Sequence, residues 1–416
     1  MKRIATAEVQ RPLRVLRLSP AIYREGLWPV AYDPVGGLQM QVWRITEQLS
    51  RMGVVQTVLT SHIPGSPRKT QPFPKTTVRS VGPWLPRKMG RWFINLGWFL
   101  GLLPELLFRA HKYDVVHVHF NHSFWCRAAV LVSSGRGIPT VASMNTTLWG
   151  GFTDAFQRFG VQIRIPEWIE QMALRATSRV LAATEVDSKQ KAQDMGLDPA
   201  RFEVVPDAID VRQFSPSETA NEDVEQFLLN YNIPADAHVV TYVGRISMEK
   251  GWNDLPVIAE QLSRQGIFLL ICGDGPDREN LELELRKLEK PQQWCITGFL
   301  SPHDVRIALQ ASDVLVLPSR REAFGGVLLE AMASELPAVA YDVGGIGEVA
   351  GHPPAVRLVK AGAKAKMVEA VLNLIKSDSA RSELISRAKT RVRDFSIEKV
   401  ADMTLRVYLS TSRTVD

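Results

Sequence analysis

Short apolar runs alternate with amphipathic segments along most of the chain. The runs "LRVLRLS", "VVQTVLTS", "YDVVHVHF" and "IPTVASMN" are apolar and rich in β-branched residues, and they predict strands. Between the first two lies "GLQMQVWRITEQLSRMG", whose apolar positions follow a helical period and predict a helix that ends at Gly53. Apolar strands that alternate with amphipathic helices are typical of a parallel sheet covered on both faces.

The same alternation begins again in the second half of the chain. After "FEVVPDAIDVRQFSP", the runs "VVTYVGR", "FLLICGDG", "WCITGFL", "DVLVLPS" and "PAVAYDVGG" predict a second set of strands with helices between them. A chain of 416 residues is long for a single core. We therefore predict an α/β protein with two doubly wound, Rossmann-like domains facing each other across a cleft. The predicted boundaries are 1–206 and 207–395, with a last helix in 396–416 that crosses back to the first domain.

Composition and charge narrow the class of protein. Lys plus Arg number 50 and Asp plus Glu number 44, a net charge of +6 that suits an anionic ligand. No long basic run is present, which argues against a nucleic-acid partner. The three cysteines, Cys126, Cys272 and Cys295, are widely spaced, which argues against a disulfide framework and a zinc site. With no apolar leader at the N-terminus, we expect a cytoplasmic protein.

One segment, "WFINLGWFLGLLPELLF" at 92–108, resembles a membrane helix in composition. It contains Asn95, Pro104 and Glu105 and is short for a bilayer span. We interpret it as a helix of the first domain. The alternative is a peripheral helix that lies on an anionic membrane, helped by the basic residues Arg87, Lys88 and Arg91.

Three loops of the second half follow predicted strands, where doubly wound sheets bind ligands. In "VGRISMEKGW", Arg245 and Lys250 suit a diphosphate, although a solvated surface loop has the same composition. In "CGDGP", Gly273 allows a ligand to approach the backbone. In "TGFLSPHD", Phe299 follows a strand where a nucleobase could lie. Taken singly, the last two are also compatible with ordinary turns.

The fourth such segment is "REAFGGVLLEAM", which has a glutamate near each end. A helix predicted from about Gly326 would offer its N-terminus to an anion, and Gly325 would allow close approach. Paired carboxylates often perform acid and base catalysis. Here the intervening glycines favour another interpretation, in which Glu322 and Glu330 bind two parts of one ligand. Glu330 would accept hydrogen bonds from a ribose and Glu322 from a group beyond the phosphates.

In this order and spacing, the four motifs resemble those of the GT-B glycosyltransferases of family 4, which retain the anomeric configuration. The resemblance implies that Arg245 and Lys250 hold the donor diphosphate and stabilise the leaving phosphate. It also implies that Glu322 binds hydroxyls of the transferred sugar and Glu330 the ribose. The residues implied to contact the donor through backbone or a base-sized surface are Gly273, Phe299, Phe324, Gly325 and Gly326.

Two motifs of the first half extend the resemblance. "PVGGLQ" matches the family's glycine loop, which implies that Gly36 and Gly37 border the phosphates and the acceptor. "DVVHVHF" matches the strand whose second histidine, His119, approaches the reacting sugar. A lone histidine at a strand end is more often structural, but this set of motifs favours the functional role. The chain departs from the family at Asp207-Ala208, where Asn-Gly is common.

The same resemblance implies the mechanism and the co-substrate. The leaving phosphate helps to accept the acceptor's proton, so the protein positions the reactants and stabilises charge. No Asp-x-Asp motif follows a predicted strand. We expect no metal and no cofactor, and a nucleotide-sugar co-substrate that is UDP-linked.

The acceptor must be inferred from the long loop "SPAIYREGLWPVAYDPVGG". Its carboxylates Glu25 and Asp33 suit an acceptor that carries amines, although the loop could equally be a surface loop with its own small core. The first seventy residues or so are similar to N-acetylglucosaminyltransferases that act on 2-deoxystreptamine in aminoglycoside biosynthesis. That similarity implies UDP-N-acetylglucosamine as donor and 2-deoxystreptamine as acceptor.

Other functions remain open from the sequence alone. A family member could instead glycosylate a lipid-linked or polysaccharide acceptor at a membrane surface. A sugar phosphorylase or a nucleotide-binding module without turnover would share the donor motifs. A Rossmann oxidoreductase is disfavoured, because the segment after the first strand lacks the G-x-G-x-x-G motif.

Overall fold

The structure is a computed structural model that describes residues 11–23, 37–63, 65–83, 91–120, 123–144, 152–156, 161–164, 167–288 and 293–412. The chain forms two compact units. Unit 1 contains Met1–Ala183, Ser188–Val205 and Val400–Asp416, and unit 2 contains Thr184–Asp187 and Pro206–Lys399. Each unit has a predominantly parallel sheet flanked by helices, which confirms the doubly wound α/β fold predicted from the sequence.

Unit 1 begins with the predicted strand–helix–strand arrangement. Its elements, in chain order, are β1 (Arg14–Leu18), α1 (Gly37–Arg51), β2 (Val55–Ser61), β3 (Lys69–Phe73), β4 (Thr76–Val81), α2 (Arg91–Phe108), β5 (Val115–Phe120), α3 (Phe124–Gly135), β6 (Thr140–Met144), β7 (Phe152–Phe156), β8 (Val161–Arg164), α4 (Glu167–Ala176), β9 (Arg179–Ala182), α5 (Glu185–Met195) and β10 (Phe202–Val204).

The sheet of unit 1 has the strand order β10-β9-β6-β5-β1-β2-β4-β3. Every pairing is parallel except that of the edge strand β3 with β4. The apolar pattern did not predict β3. Its residues "KTQPF" are not buried, so they show no regular alternation of apolar and polar positions. The small antiparallel pair β7–β8 was also not predicted.

The two faces of this sheet differ in polarity. On one face, Leu16 and Val118 join a large apolar cluster that includes Trp98 of α2. On the opposite face, Arg17 lies beside His117 in the parallel register of β1 and β5, and His119 follows on the same side. All three polar side chains are buried. The sheet therefore has polar groups inside unit 1, not only at its edges.

Helix α2 covers the segment with membrane-like composition and packs in unit 1. Trp98 is buried, and its Nε1 donates to the carbonyl of Leu59 at 3.2 Å. Glu105 accepts hydrogen bonds from Arg79 at 2.6 Å and Tyr113 at 2.7 Å. Burial alone would raise the pKa of Glu105, but these hydrogen bonds outweigh it and lower the pKa. The structure thus confirms the interpretation of this segment as a helix of the first domain.

Unit 2 repeats the strand–helix alternation more regularly. Its elements, in chain order, are α6 (Asn221–Asn230), β11 (Val239–Val243), α7 (Leu255–Ser263), β12 (Phe268–Cys272), α8 (Arg278–Leu285), β13 (Trp294–Gly298), α9 (Pro302–Gln310), β14 (Val314–Leu317), α10 (Gly326–Ala333), β15 (Ala338–Tyr341), α11 (Ile346–Ala350), β16 (Arg357–Val359), α12 (Lys364–Lys376) and α13 (Asp378–Arg391).

The six parallel strands of unit 2 have the order β13-β12-β11-β14-β15-β16. The strand order reverses between the neighbouring strands β11 and β14. The connection after β11 therefore leads toward one edge of the sheet, and the connection after β14 leads toward the other. In such sheets a ligand crevice forms outside the strand ends at this point. Each strand predicted in the second half is present.

The last helix, α14 (Ile397–Thr411), is partly assigned to each unit. From Val400 onward it belongs to unit 1. Tyr408 is fully buried there, and its hydroxyl lies 2.6 Å from Nδ1 of His117. This contact fixes the C-terminal residues to the polar face of the first sheet.

A pair of glycine substitutions tests the packing of α2. A Cβ at Gly101 would lie 2.2 Å from the backbone nitrogen of Gly82, whereas a Cβ at Gly135 in α3 meets nothing within 4 Å. We expect Gly101→Ala to destabilise the protein by about 1–3 kcal/mol through overpacking. Gly135→Ala should be neutral or stabilising by up to about 1 kcal/mol, because alanine favours helix. Urea unfolding followed by circular dichroism measures both, and equal effects would contradict the packing of α2 described above.

Candidate active-site residues

The loops after β11 and β12 are joined by backbone hydrogen bonds. The amide of Gly244 donates to the carbonyl of Cys272 at 3.0 Å, and the amide of Ile246 donates to the carbonyl of Asp274 at 2.9 Å. Gly273 forms a further bridge with Gly298 at the end of β13. Three of the motifs predicted to contact a donor therefore meet at one edge of the unit 2 sheet.

The loop that carries Lys250 is also joined to the loop after β14. The carbonyl of Glu249 accepts hydrogen bonds from the amides of Arg320 at 2.8 Å and Arg321 at 3.1 Å. Lys250 Nζ lies 2.6 Å from Glu322 Oε2, and Ser319 Oγ donates to the same oxygen at 3.3 Å. The predicted phosphate-binding cation and the predicted sugar-binding carboxylate thus form one ion pair.

Both members of this pair keep some exposure to solvent. The side chain of Lys250 is 26% exposed and that of Glu322 is 13% exposed. A ligand can therefore reach both groups. A partly exposed ion pair contributes little to stability, so this one is better explained by a role in binding than by a role in folding.

A buried carboxylate stabilises the loop that carries Glu322. Asp254 is completely buried and accepts hydrogen bonds from Arg320 at 2.9 Å and the hydroxyl of Tyr341 at 3.0 Å. Lys364 Nζ lies 3.5 Å from the same carboxylate. Because Arg320 is two residues before Glu322, Asp254 helps to fix the segment that presents Glu322.

The segment after Glu322 has the predicted form. Gly325 adopts a left-handed conformation with φ of 86° and precedes α10, whose first residue, Gly326, is exposed. Phe324 is buried against Phe395. Glu330 lies in the second turn of α10 and is half-buried. The N-terminus of α10 and Glu322 are therefore presented from one short segment.

Two further predicted donor residues lie near these loops and are exposed. The side chain of Arg245 is exposed, while its carbonyl accepts a hydrogen bond from Tyr242 at 2.8 Å. Phe299 is 48% exposed at the residue after β13. Near it, Arg278 forms a 2.9 Å ion pair with Asp274. These exposed groups can contact a ligand without a change of fold.

The sequence interpretation missed two features of this region. The amide of Gly345 donates to the carbonyl of Glu322 at 3.1 Å, so the glycine pair after β15 supports the Glu322 segment. Ser247 Oγ is buried and has no hydrogen-bond partner among the described residues, although it lies between Arg245 and Lys250 in sequence. Two signals in the sequence could have indicated these features: a glycine pair after a predicted strand, and a hydroxyl between two residues predicted to bind phosphate.

In unit 1, the described part of the predicted site is small. Gly37 is the first residue of α1, and a Cβ there would meet nothing within 4 Å. Gly36 and the predicted acceptor residues Glu25 and Asp33 lie outside the described residues.

His119 lies in the interior of unit 1 near the end of β5. Its Nε2 is 3.0 Å from NH2 of Arg17 and 3.3 Å from Nε of Arg17, and its ring lies 4.0 Å from that of His117. Burial, followed by the nearby His117 and Arg17, lowers the pKa of His119 well below its ordinary value. These effects favour the neutral form of the His119 ring. The sequence interpretation did not single out Arg17, although an arginine inside an apolar strand was a visible signal.

No group of three or more histidine, cysteine, aspartate or glutamate side chains within the described part of the chain is arranged to hold a metal ion. In the same residues, no helix is both long enough and apolar enough to cross a bilayer.

Comparison with known proteins identifies the family. A family model for "Glycosyl transferases group 1" matches residues 223–391, and one for "Glycosyltransferase Family 4" matches residues 35–213. A 2-deoxystreptamine N-acetyl-D-glucosaminyltransferase of Streptomyces fradiae is 33% identical over 86% of this chain and 87% of its own. The chain belongs to the family 4 glycosyltransferases.

Other known proteins match over similar lengths. A 2-deoxystreptamine glucosyltransferase of Streptomyces kanamyceticus is 28% identical over 89% of this chain and 98% of its own. The solved structure of Anabaena Alr3699/HepE in complex with UDP-glucose superposes with a TM-score of 0.71. It is 17% identical and covers 96% of this chain and 100% of that one, so the likeness shows the common GT-B fold.

Two glycines with the same backbone angle test whether the loop contact shapes the site of this glycosyltransferase. Gly251 and Gly266 both have φ of +74°. A Cβ at Gly251 would lie 1.9 Å from the carbonyl oxygen of Pro318, but one at Gly266 meets nothing within 4 Å. We expect Gly266→Ala to cost about 1–2 kcal/mol of stability and to leave UDP affinity unchanged. Gly251→Ala should also weaken UDP binding about tenfold or more, because it separates the Lys250 loop from the Glu322 loop.

Calorimetric titration with UDP, together with thermal unfolding of both variants, measures these effects. A Gly251→Ala protein that binds UDP as tightly as Gly266→Ala would show that the contact with Pro318 does not shape the site.

Proposed function

We propose that the protein transfers N-acetylglucosamine from UDP-N-acetylglucosamine to a hydroxyl of 2-deoxystreptamine, with retention of configuration and without a metal ion. The observation that supports the donor part of this proposal is the contact between Lys250 and Glu322 at the strand ends of unit 2. The acceptor half is supported by the relatives that act on 2-deoxystreptamine and match almost the whole chain. The reaction belongs to aminoglycoside antibiotic biosynthesis and suits a cytoplasmic enzyme.

In the proposed donor complex, the Lys250–Glu322 ion pair exchanges partners. The ammonium of Lys250 and the guanidinium of Arg245 bind the diphosphate, and the carboxylate of Glu322 accepts hydrogen bonds from sugar hydroxyls. The exposure of both partners supports this exchange, since neither charge is sealed in the core. Glu330 binds the ribose from within α10, and the N-terminus of this helix faces the phosphates.

The remaining predicted donor residues complete this arrangement. Gly273 and Phe299 lie at the ends of neighbouring strands, where a nucleobase can contact backbone and a flat ring. The backbone of Phe324, Gly325 and Gly326 approaches the sugar and the phosphates. Gly36 and Gly37 of the glycine loop are assigned the role of bordering the phosphates and the acceptor.

The proposed transfer makes and breaks one bond at the anomeric carbon. The bond from this carbon to the phosphate oxygen breaks, and a bond to the acceptor oxygen forms on the same face. The acceptor's hydroxyl proton passes to the oxygen of the leaving phosphate, so UDP and the glycoside are the products. Arg245 and Lys250 stabilise the charge that develops on the phosphate. These cations supply what a metal ion supplies elsewhere, so the proposal needs none.

The proposed acceptor is a cyclitol with two amines that are positively charged near neutral pH. Glu25 and Asp33 are the candidates for contacting these amines. The sugar is proposed from the relatives. Two 2-deoxystreptamine N-acetyl-D-glucosaminyltransferases are 33% and 27% identical to the chain, and the 2-deoxystreptamine glucosyltransferase is 28% identical.

The reaction itself is the first test. Purified protein with 2-deoxystreptamine and UDP-N-acetylglucosamine should give UDP and a product whose mass equals the acceptor plus one N-acetylglucosaminyl residue. We expect turnover to survive EDTA, and proton NMR of the product should show the α-anomer. UDP-glucose is the matched donor control and should react more slowly. Failure with 2-deoxystreptamine, combined with turnover on a lipid acceptor in vesicles, would overturn the proposed acceptor.

The two glutamates provide a second test, because their proposed ligands differ. Glu322→Gln should lower kcat about a hundredfold or more, since it weakens contacts to the transferred sugar, while free UDP still binds. Glu330→Gln should weaken UDP binding about tenfold, as expected for one lost hydrogen bond from a ribose hydroxyl to a charged acceptor. Steady-state kinetics and calorimetric titration with UDP separate these effects. Loss of UDP binding in Glu322→Gln alone would contradict the role given to Glu322.

A further inference from the structure

Arg17 is a buried cation without a carboxylate partner among the described residues. It lies in the middle of β1 and is 1% exposed. Its NH1 donates to Thr46 Oγ1 and to the carbonyl of Val42 in α1. Its NH2 and Nε both point at Nε2 of His119. All of its described partners are therefore neutral groups.

Such an arrangement is expensive for stability alone. Removing a guanidinium from water costs several kcal/mol unless a charge compensates it. Elsewhere in the same unit, Arg127 is equally buried but forms an ion pair with Glu170. Arg17 has no such compensation, and desolvation by burial lowers its pKa. A buried charge placed against a candidate active-site histidine suggests a functional reason for the cost.

The hydrogen bonds of Arg17 determine the tautomer of His119. A guanidinium has only donors, so Nε2 of His119 must be the acceptor. A neutral imidazole protonates one nitrogen only, and the proton therefore lies on Nδ1. Nδ1 forms no hydrogen bond with the residues that the structure describes. Adding a second proton to the ring would place two cations about 3 Å apart.

We propose that Arg17 is a positioning residue that holds His119 in its neutral, Nδ1-protonated form, so that His119 donates a hydrogen bond to the transferred sugar and takes no part in proton transfer. This inference rests on the proposed function for the transfer and on the family resemblance for the contact between His119 and the sugar, but the tautomer depends on neither. Arg17 contacts no reacting atom and acts only through His119.

The neighbours of His119 reinforce the arrangement. His117 Nδ1 lies 2.6 Å from the hydroxyl of Tyr408, and its Nε2 lies 2.7 Å from Ser143 Oγ. Among the residues that the structure describes, the titratable groups around His119 are Arg17 on β1, His117 on β5 and Tyr408 on α14. Burial raises the pKa of Tyr408 to about 12, so its hydroxyl is protonated. None of these three groups supplies a negative charge that would favour an imidazolium.

The tautomer of His119 can be measured in the protein without substrate. Two-bond proton–nitrogen NMR spectra of ¹⁵N-histidine-labelled protein should resolve rings from the eight histidines, and His119→Gln assigns the ring in question. We expect an unprotonated Nε2 and a protonated Nδ1 across the range from pH 6 to 8. A protonated Nε2, or an imidazolium within that range, would overturn the proposal.

A kinetic cycle tests whether Arg17 acts through His119. Arg17→Met should lower kcat by up to about tenfold, the effect of one weakened hydrogen bond between neutral His119 and a sugar hydroxyl, with a smaller change in KM for the acceptor. In the His119→Ala background, the same substitution should cause little further loss. Full additivity of the two effects would show that Arg17 does not act through His119. If His119→Ala leaves kcat unchanged, the sugar contact assigned to His119 fails, while the tautomer result still stands.

Matched variants separate positioning from stability. Arg127→Met removes an equally buried guanidinium and should destabilise the protein without changing the tautomer of His119. Tyr408→Phe should also leave that tautomer unchanged, since it removes a contact of His117 only. Arg17→Lys keeps a cationic donor and should recover part of the lost kcat. If Arg17→Met does not fold, Arg17→Lys and Arg17→Gln carry the kinetic test. The tautomer test needs no Arg17 variant.

Discussion

The candidate site of unit 2 depends on the contact between two loops that are far apart in sequence. The carbonyl of Glu249 binds the amides of Arg320 and Arg321, and Gly251 lies against Pro318. This contact brings Lys250 to Glu322, because each is within two residues of a bonded position. Parallel pairing of β11 and β14 makes the contact possible, since it places the two strand ends side by side.

Two buried charges, Asp254 in unit 2 and Arg17 in unit 1, are handled in different ways. In unit 2, Asp254 is compensated by Arg320 and Lys364, so its burial strengthens the loop that presents Glu322. In unit 1, the described partners of Arg17 are neutral groups, so its positive charge is not compensated by them and faces His119. The compensated carboxylate of Asp254 holds the backbone segment before Glu322 in place, whereas the guanidinium of Arg17 is proposed to set the protonation state of His119. Both devices prepare a polar group before a ligand arrives, which lowers the cost of ordering it on binding.

The fold was predictable because parallel, buried strands leave continuous apolar runs in the sequence. The positions of the proposed donor residues at strand ends were predictable for a related reason, since their motifs each follow such a run. The edge strand β3 was not predictable, because an exposed strand has no burial period. Ser247 and Gly345 were missed because their significance comes from contacts between loops, and Arg17 because its partners lie on α1 and β5. Such long-range contacts leave no local pattern.

The protonation states bear on which group removes the acceptor's proton in the proposed reaction. His119 has its Nε2 lone pair engaged by Arg17, and its low pKa makes it a weak base. Glu322 is paired with Lys250 in the absence of ligand and is assigned to sugar hydroxyls in its presence. Each of the two described candidate groups is thus committed to another contact. In the proposed reaction, an oxygen of the leaving phosphate becomes more basic as the sugar departs, so we propose this oxygen as the base.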